Sequence, residues 1–184
     1  GTAEICGLEK LEILRLVSEL ESVSGRFQYT ISKTGITAIV DYAHTPDALK
    51  NVLETIADIK TGKEKVITVV GCGGDRDKTK RPKMARIASQ LSNQAIFTSD
   101  NPRTENAQTI IDEMEVGVPE ENSAKTLSIL DRKQAIKTAC KLSESGDIVL
   151  VAGKGHETYQ EINGERFHFD DLEVVAECLI QLNK

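Results

Sequence analysis

The sequence predicts an α/β fold of the Rossmann-like type, in which helices flank a mostly parallel sheet and a C-terminal antiparallel β-hairpin is added. Residues 66–70 (VITVV) and 147–151 (DIVLV) are almost continuous apolar runs, which is typical of parallel strands covered on both faces. The segments between such runs have the apolar spacing of amphipathic helices. Asn163-Gly164 separates two short strand-like segments, which indicates a tight hairpin.

The first residues of the chain stand apart from this alternation. Residues 8–20 have the spacing of an amphipathic helix, and 22–26 (SVSGR) are typical of a linker. Because no strand precedes that helix, we expect residues 1–24 to be the last helix and linker of a preceding domain whose body is missing. Residues 25–184 are then expected to form a domain of their own.

The first half of that domain begins with strand-like segments at 27–31 and 36–40, joined by the turn residues 33–35 (KTG). Thr45 is placed to cap a helix in which Pro46 takes the first position. The inward face of this helix is expected to consist of Leu49, Val52, Leu53 and Ile56.

The second half continues the alternation of strands and helices. Further strands are expected at 94–97, 126–130, 159–162 and 165–169, and a helix at 131–142. Three more helices are expected, with inward faces formed by Met84, Ile87, Ala88 and Leu91; by Ala107, Ile110, Ile111 and Met114; and by Leu172, Val175, Ala176 and Leu179. Asp170 is placed to cap the last of them.

Composition narrows the class of protein. The chain has 184 residues, a formal net charge of −6, 39% hydrophobic and 28% charged residues, which does not suggest a nucleic-acid or membrane partner. It contains no run of 18 apolar residues and no signal-peptide pattern, so we expect a cytoplasmic location. The four cysteines lie far apart, so we expect no zinc, other metal or disulfide framework. Cys72 is either a packing residue or a ligand contact.

Three loops follow the ends of buried strands, at 71–82, 98–104 and 152–157. The carboxyl ends of parallel strands share one edge of a sheet, so these loops can converge on one pocket. In the second loop, Asp100 can accept hydrogen bonds from an ammonium group, and Arg103 can bind a carboxylate through two parallel bonds. This mixture of charges suits an amino acid better than a phosphate. The alternative is a polar turn whose charged side chains are merely solvated.

The glycine-rich loop 71–82 (GCGGDRDKTKRP) does not match the standard phosphate-binding motifs. A P-loop requires glycine where Cys72 and Asp77 stand, and a dinucleotide-binding motif requires glycine where Arg76 stands. Its glycines still allow the backbone to approach a ligand closely, and its Arg and Lys side chains make the loop cationic. A solvated basic loop is the alternative.

Two other strand ends carry candidate residues. Glu157, in the GKGHE segment (153–157), can accept hydrogen bonds from an ammonium group, whereas His156 is either a base or a structural residue. After the strand at 36–40, His44 is a candidate for ligand contact. Asp41 either contacts ligand or favours the start of the next helix.

Four motifs in this order resemble the carboxyl-terminal part of the Mur ligases: DYAHTPDAL (41–49), GCGGDRDKTKRP (71–82), DNPR (100–103) and GKGHE (153–157). The resemblance covers nearly the whole chain, although Ser24 stands where the family linker usually has proline. It implies three domains, with residues 1–24 ending the central ATPase domain and 25–184 forming the amino-acid-binding domain. It also implies a ligase reaction in which ATP forms an acyl phosphate on UDP-MurNAc-L-Ala-D-Glu and an amino acid attacks it.

The DNPR form of the motif is similar to that of ligases that add meso-diaminopimelate. The resemblance implies a diaminopimelate pocket lined by Arg76, Asp100, Asn101, Pro102, Arg103, Gly153 and Glu157. It places Arg26, Asp41 and His44 on the ATP side of the cleft. ATP, Mg²⁺ and the UDP-MurNAc-dipeptide are expected to be held by the other domains, with no cofactor bound firmly by this chain alone and no catalytic residue assigned in it.

Several alternatives stay open at this stage. The acceptor can be a near-isostere of diaminopimelate such as lanthionine, in which sulfur replaces a methylene group. The chain can also belong to a related Mur or folylpolyglutamate-type ligase with another acceptor. A third possibility is a nucleotide- or amino-acid-binding module without catalysis.

Overall fold

The computed structural model describes residues 27–184, so the helix expected at 8–20 and the linker at 22–26 lie outside the described residues. A six-stranded sheet lies at the centre of this part of the chain. Its strands are β1 (Gln28–Ile31), β2 (Thr37–Asp41), β3 (Val66–Cys72), β4 (Gln94–Ser99), β5 (Thr126–Ser128) and β6 (Ile148–Ala152). The α-helices are α1 (Pro46–Ile59), α2 (Lys80–Leu91), α3 (Ala107–Glu115), α4 (Arg132–Leu142) and α5 (Asp171–Gln181), and a 3₁₀ helix covers Glu120–Lys125.

The strand order of the sheet is β1-β2-β6-β3-β4-β5. Within residues 27–184, every pairing in this sheet is parallel except that of β1 with β2. The strands β7 (Tyr159–Ile162) and β8 (Glu165–His168) form a separate antiparallel hairpin. Asn163 and Gly164 in its turn both have positive φ, as two-residue hairpin turns of the favoured type require. The predicted fold class and the C-terminal hairpin are confirmed.

Two hydrophobic cores lie on opposite faces of the sheet. Val66 and Val70 of β3 pack with α1, α2 and α3, whereas Ile67 and Val69 of the same strand pack with α4 and α5. Successive residues of a strand point to opposite faces, so a strand covered on both sides is apolar at nearly every position. This explains the almost continuous apolar run that identified β3 in the sequence. The polar residue of this run, Thr68, is buried with its hydroxyl hydrogen-bonded to that of Ser92 at 2.7 Å.

The predicted start of α1 is confirmed. The Thr45 side chain accepts a hydrogen bond from the backbone N–H of Ala48 at 3.3 Å, and Pro46 is the first helical residue. The inward residues of α1 are the four expected from the sequence: Leu49, Val52, Leu53 and Ile56. Among residues 27–184, no helix is both long enough and apolar enough to cross a lipid bilayer.

The inward faces of α2 and α5 differ from the expected ones. Leu91 is 42% exposed and Ala176 is also exposed, so both assignments were wrong. The buried face of α2 is Arg81, Met84, Ala85, Ala88 and Ser89, and that of α5 is Asp171, Val174, Val175, Cys178 and Leu179. Each face begins with a buried charged residue, so a search for apolar residues alone selects a face that is rotated relative to the buried one.

Candidate functional site

The loops after β2, β3, β4 and β6 surround a cavity of about 510 Å³ at the carboxyl edge of the sheet. These strands are parallel neighbours, so their carboxyl ends lie side by side. The convergence expected for the loops 71–82, 98–104 and 152–157 is therefore observed. The candidate residues that line this cavity are Arg76, Asp100, Asn101, Arg103, Gly153, Glu157 and His44.

The glycine-rich loop and the DNPR loop pack directly against each other. The backbone N–H of Gly74 donates to the carbonyl of Asn101 at 2.9 Å, and Nη1 of Arg103 donates to the carbonyl of Gly74 at 2.8 Å. A Cβ atom at position 74 would lie 1.9 Å from the carbonyl oxygen of Pro102. Only glycine allows this approach of two backbones.

The backbone of Arg103 is held by the hairpin. Arg103 has φ of +53°, its N–H donates to the carbonyl of Glu161 at 3.0 Å, and its carbonyl accepts from the N–H of Asn163 at 2.7 Å. Its guanidinium Nε lies 3.8 Å from a carboxylate oxygen of Glu161, and the side chain is 19% exposed. The hairpin thus fixes where the guanidinium enters the cavity.

Asn101 connects three segments of the site. Its Nδ2 donates to Glu157 Oε2 at 2.8 Å, and its Oδ1 accepts from the backbone N–H of Glu161 at 2.9 Å and from Lys154 Nζ at 3.1 Å. The side chain of Lys154 is fully buried and lies 3.4 Å from Glu157 Oε2. Sequence reasoning did not select Lys154, although it is the second residue of the GKGHE motif.

A buried ion pair lies next to Asp100. The Asp100 carboxylate lies 4.0 Å from Nη1 of Arg132, which is itself paired with Asp171 through bonds of 2.8 and 2.7 Å. Gly153, with φ of +120°, lies so close that a Cβ atom would be 2.9 Å from Asp100 Oδ2. Sequence reasoning missed Arg132 and Asp171. Each is a charged residue on the otherwise apolar inward face of a helix, α4 and α5 respectively, and that pattern was the signal available.

The glycine-rich loop rests on a second buried arginine. Arg81 is fully buried and donates to both carboxylate oxygens of Glu105, to Glu113 at 2.6 Å, and to the carbonyl of Gly73 at 3.3 Å. Chiefly through its hydrogen bond with Arg81, the pKa of Glu105 is lowered to about 2. This network anchors the loop that carries Arg76, whose own side chain is exposed at the cavity rim.

The candidate ATP-side residues lie at the neighbouring strand end. Asp41 and His44 line a second cavity of about 400 Å³, and His44 lines both cavities. The Asp41 carboxylate accepts from the N–H of Phe27 at 2.7 Å, and His44 Nδ1 donates to the carbonyl of Tyr42 at 2.9 Å. Arg26 lies outside the described residues.

Tyr42 lies between two histidines. Its ring centre is 4.4 Å from that of His44 and 5.0 Å from that of His156. Burial, followed by the charges of Glu157 and Asp100, raises the pKa of Tyr42 above its ordinary value of 10.0. The phenol therefore stays neutral and can donate or accept a hydrogen bond at the boundary of the two cavities.

Pro102 and Cys72 lie outside the main cavity. Pro102 lines a separate cavity of about 760 Å³ and is not among the residues that line the main one, so its contact with the acceptor stays a prediction. Its contribution is conformational, because its ring restrains the loop between Asn101 and Arg103. Cys72 is the buried last residue of β3, and burial raises the pKa of its thiol to about 12, which makes it a packing residue.

Among residues 27–184, no group of three or more His, Cys, Asp or Glu side chains is arranged to hold a metal ion.

The site combines cationic and anionic groups around one hollow. Arg103 and Arg76 can bind a carboxylate, and Asp100 and Glu157 can accept from an ammonium group. A sequence profile of the Mur ligase glutamate ligase domain matches residues 25–155. The chain belongs to the Mur ligase family. Its Rossmann-like architecture and four ordered motifs agree with that membership.

Curated and solved relatives are similar over the whole chain. UDP-N-acetylmuramoyl-L-alanyl-D-glutamate–2,6-diaminopimelate ligase of Cytophaga hutchinsonii is 58% identical over all 184 residues, and that of Bacillus velezensis is 49% identical. A solved structure of a ligase with the same name aligns with the full chain at a TM-score of 0.80 and 40% identity, over 37% of its own length. The chain spans 38% and 36% of the length of the two curated relatives.

Proposed function

We propose that this chain is the amino-acid-binding part of an ATP-dependent ligase that adds meso-diaminopimelate to UDP-MurNAc-L-Ala-D-Glu in the cytoplasm. The observation that carries the proposal is the placement of Arg103 opposite Asp100 and Glu157 around one cavity. Diaminopimelate has an amino-acid group at each end, so it matches a hollow with both signs of charge. The names of the relatives support the same acceptor.

In the proposed reaction, the chain contributes position rather than bond-making groups. ATP would convert the γ-carboxyl of D-Glu into an acyl phosphate, which the amine of diaminopimelate attacks before phosphate leaves. Because the acceptor is bound by charged groups on several fixed loops, its amine is presented in one orientation and the step becomes effectively unimolecular. Loops held by buried ion pairs preserve that geometry.

ATP would contact only the edge of this chain. Asp41 and His44 line a cavity beside the acceptor site, where a carboxylate can accept hydrogen bonds from ribose hydroxyls. The described residues offer no P-loop and no cluster of metal-ligating side chains. We therefore assign the triphosphate and Mg²⁺ to the other domains, and we expect the isolated chain to hydrolyse no ATP.

Arg103 is the residue that we expect to separate diaminopimelate from lysine. Lysine lacks the distal carboxylate, so it would leave the guanidinium without its ligand partner. Arg103 is 19% exposed and already donates to the carbonyl of Gly74, so it is not an isolated buried charge in the absence of that partner. A lost charge-assisted hydrogen bond of about 1.5–3 kcal/mol corresponds to about 10- to 100-fold in affinity.

Calorimetric titration of the natural protein that contains this chain tests the proposal, with diaminopimelate, lanthionine and lysine as ligands. Arg103→Ala is expected to weaken the first two by about 10- to 100-fold and to change lysine binding by less than about threefold. Arg86→Ala is the matched control, because Arg86 is an exposed residue of α2 that does not line the cavity.

Two outcomes would reject the proposed acceptor: no heat of binding with diaminopimelate, or an equal loss for diaminopimelate and lysine in Arg103→Ala. A preference for another amino acid would favour a related ligase instead. ATP hydrolysis by the isolated 184-residue chain would contradict the assignment of the nucleotide chemistry to other domains.

A further inference from the structure

Lys154 is a fully buried lysine beside the candidate acceptor site. It is the second residue after β6, its side chain is 0% exposed, and it does not line the cavity. A buried ammonium group is costly unless its charge is compensated and its N–H groups have acceptors. Here Nζ lies 3.1 Å from Asn101 Oδ1, 3.4 Å from Glu157 Oε2 and 5.5 Å from the centre of the Tyr159 ring.

The contact with Lys154 decides the orientation of the Asn101 amide. An ammonium group only donates, so the oxygen of the amide must face it. The same oxygen accepts from the backbone N–H of Glu161 at 2.9 Å, which directs the NH₂ group toward Glu157 Oε2 at 2.8 Å. One oxygen of Glu157 thereby has two donors from the protein. Asn101 and Glu157 line the cavity, and Lys154, which does not line it, contacts both side chains and orients them.

Lys154 also changes the charge that Glu157 contributes to the candidate acceptor site. Its ammonium offsets the Glu157 carboxylate, so the pair adds almost no net charge to the cavity wall. If diaminopimelate is the acceptor, its far end carries a carboxylate and an ammonium and is neutral overall. The far end of lysine carries a bare positive charge, and an uncompensated carboxylate would attract it.

We propose that Lys154 is a specificity-determining positioning residue, which holds Asn101 and Glu157 in place and neutralises the charge of Glu157. As a result, the site favours an acceptor whose far end is zwitterionic over one that ends in a bare ammonium group. This inference rests on the proposed function. It does not require Lys154 to touch the acceptor. It does require that removal of the positive charge at position 154 and removal of the negative charge at position 157 shift the selectivity in opposite directions.

The test uses the natural protein that contains this chain and measures kcat and KM with diaminopimelate and with lysine. Lys154→Met is expected to lower the ratio of kcat/KM for diaminopimelate over lysine by about tenfold or more, mainly through the KM of the acceptor. Glu157→Gln is expected to raise that ratio, because it removes negative charge from the wall. The double variant replaces the ion pair by neutral groups, so its ratio should return toward that of the wild type.

Lys50→Met is the matched control. Lys50 pairs with Glu54 on the exposed face of α1, so its removal should leave the ratio unchanged. If Lys154→Met does not fold, Glu157→Gln and the double variant carry the test. A wild-type enzyme without preference for diaminopimelate would overturn the proposed function and this inference together. A wild-type preference that both single variants leave unchanged, or shift in the same direction, would overturn the role of Lys154 alone.

Discussion

Removal of the Asp171 carboxylate is expected to destabilise the chain strongly, because it leaves Arg132 buried without its main partner. Both side chains are fully buried, and they are joined by bonds of 2.8 and 2.7 Å. Although burial lowers the pKa of Arg132, Asp171 and the more distant Asp100 and Glu157 raise it above its ordinary value. The guanidinium therefore keeps its charge.

The size of the effect follows from what is left around Arg132 in Asp171→Ala. Breaking a buried ion pair from one side costs about 3–5 kcal/mol. Arg132 would keep a hydrogen bond of 3.2 Å to the carbonyl of Ala152 and the carboxylate of Asp100 at 4.0 Å, which favours the lower end of that range. A loss of about 3 kcal/mol corresponds to a decrease of roughly 6–12 °C in Tm for a domain of this size.

Urea denaturation and thermal melting of the 184-residue chain measure this loss. Asp112→Ala is the control, since Asp112 is an exposed residue of α3 and its removal should change the free energy of unfolding by less than about 0.5 kcal/mol. The double variant Arg132→Met with Asp171→Leu should recover most of the stability, because apolar residues can replace a buried pair. It should still bind the acceptor more weakly, because Asp100 loses the positive charge of Arg132 at 4.0 Å.

Two results would contradict this prediction: a free energy of unfolding of Asp171→Ala close to that of the wild type, or a double variant that is less stable than the single one. Either result would mean that the buried pair is not the source of stability at this position.

Two further predictions concern the packing of the site loops and the titration of His168 in the hairpin. Gly74→Ala forces a Cβ atom to within 1.9 Å of the Pro102 carbonyl, so we expect a loss of about 1–3 kcal/mol in urea denaturation and weaker acceptor binding, and unchanged values would contradict the packing. Glu173→Gln should lower the pKa of His168, because the hydrogen bond to Glu173 at 2.8 Å raises it above its usual 6.5. The stabilisation from this pair should be complete below about pH 6.5 and disappear as the pH rises through the raised pKa of the folded state. NMR titration of the imidazole checks this, and the same midpoint in both proteins would exclude the interaction.

The sequence identified most elements because their signals are local. Thr45-Pro46 begins α1, Asn163-Gly164 turns the hairpin, and the apolar run of β3 reflects a strand covered on both faces. Each feature depends on the conformation of a few neighbouring residues or on side-chain alternation. The faces of α2 and α5 were misjudged because Arg81 and Asp171 are buried, and a charged residue is buried only where distant parts of the chain supply its partners.

In the candidate site, too, some residues could be predicted from the sequence and others could not. Asp100, Asn101, Arg103 and Glu157 were selected from motif letters, and the parallel sheet brings them to one cavity. The support behind these residues came from segments that no motif connects in the sequence: Arg132 with Asp171, Arg81 with Glu105, and Lys154 behind Asn101. Pro102 was selected for its place in a motif, but it lines another cavity.

Local propensity and side-chain alternation are visible in the sequence alone. They were enough to predict the order of strands and helices, the edge of the sheet where the loops gather and the kinds of charge in those loops. The aim and effective charge of those groups were decided only by the tertiary structure. A guanidinium, ammonium or carboxylate acts on a ligand according to the partners that already occupy its hydrogen bonds, and these partners lie dozens of residues away, 39 between Arg132 and Asp171 and 53 between Lys154 and Asn101.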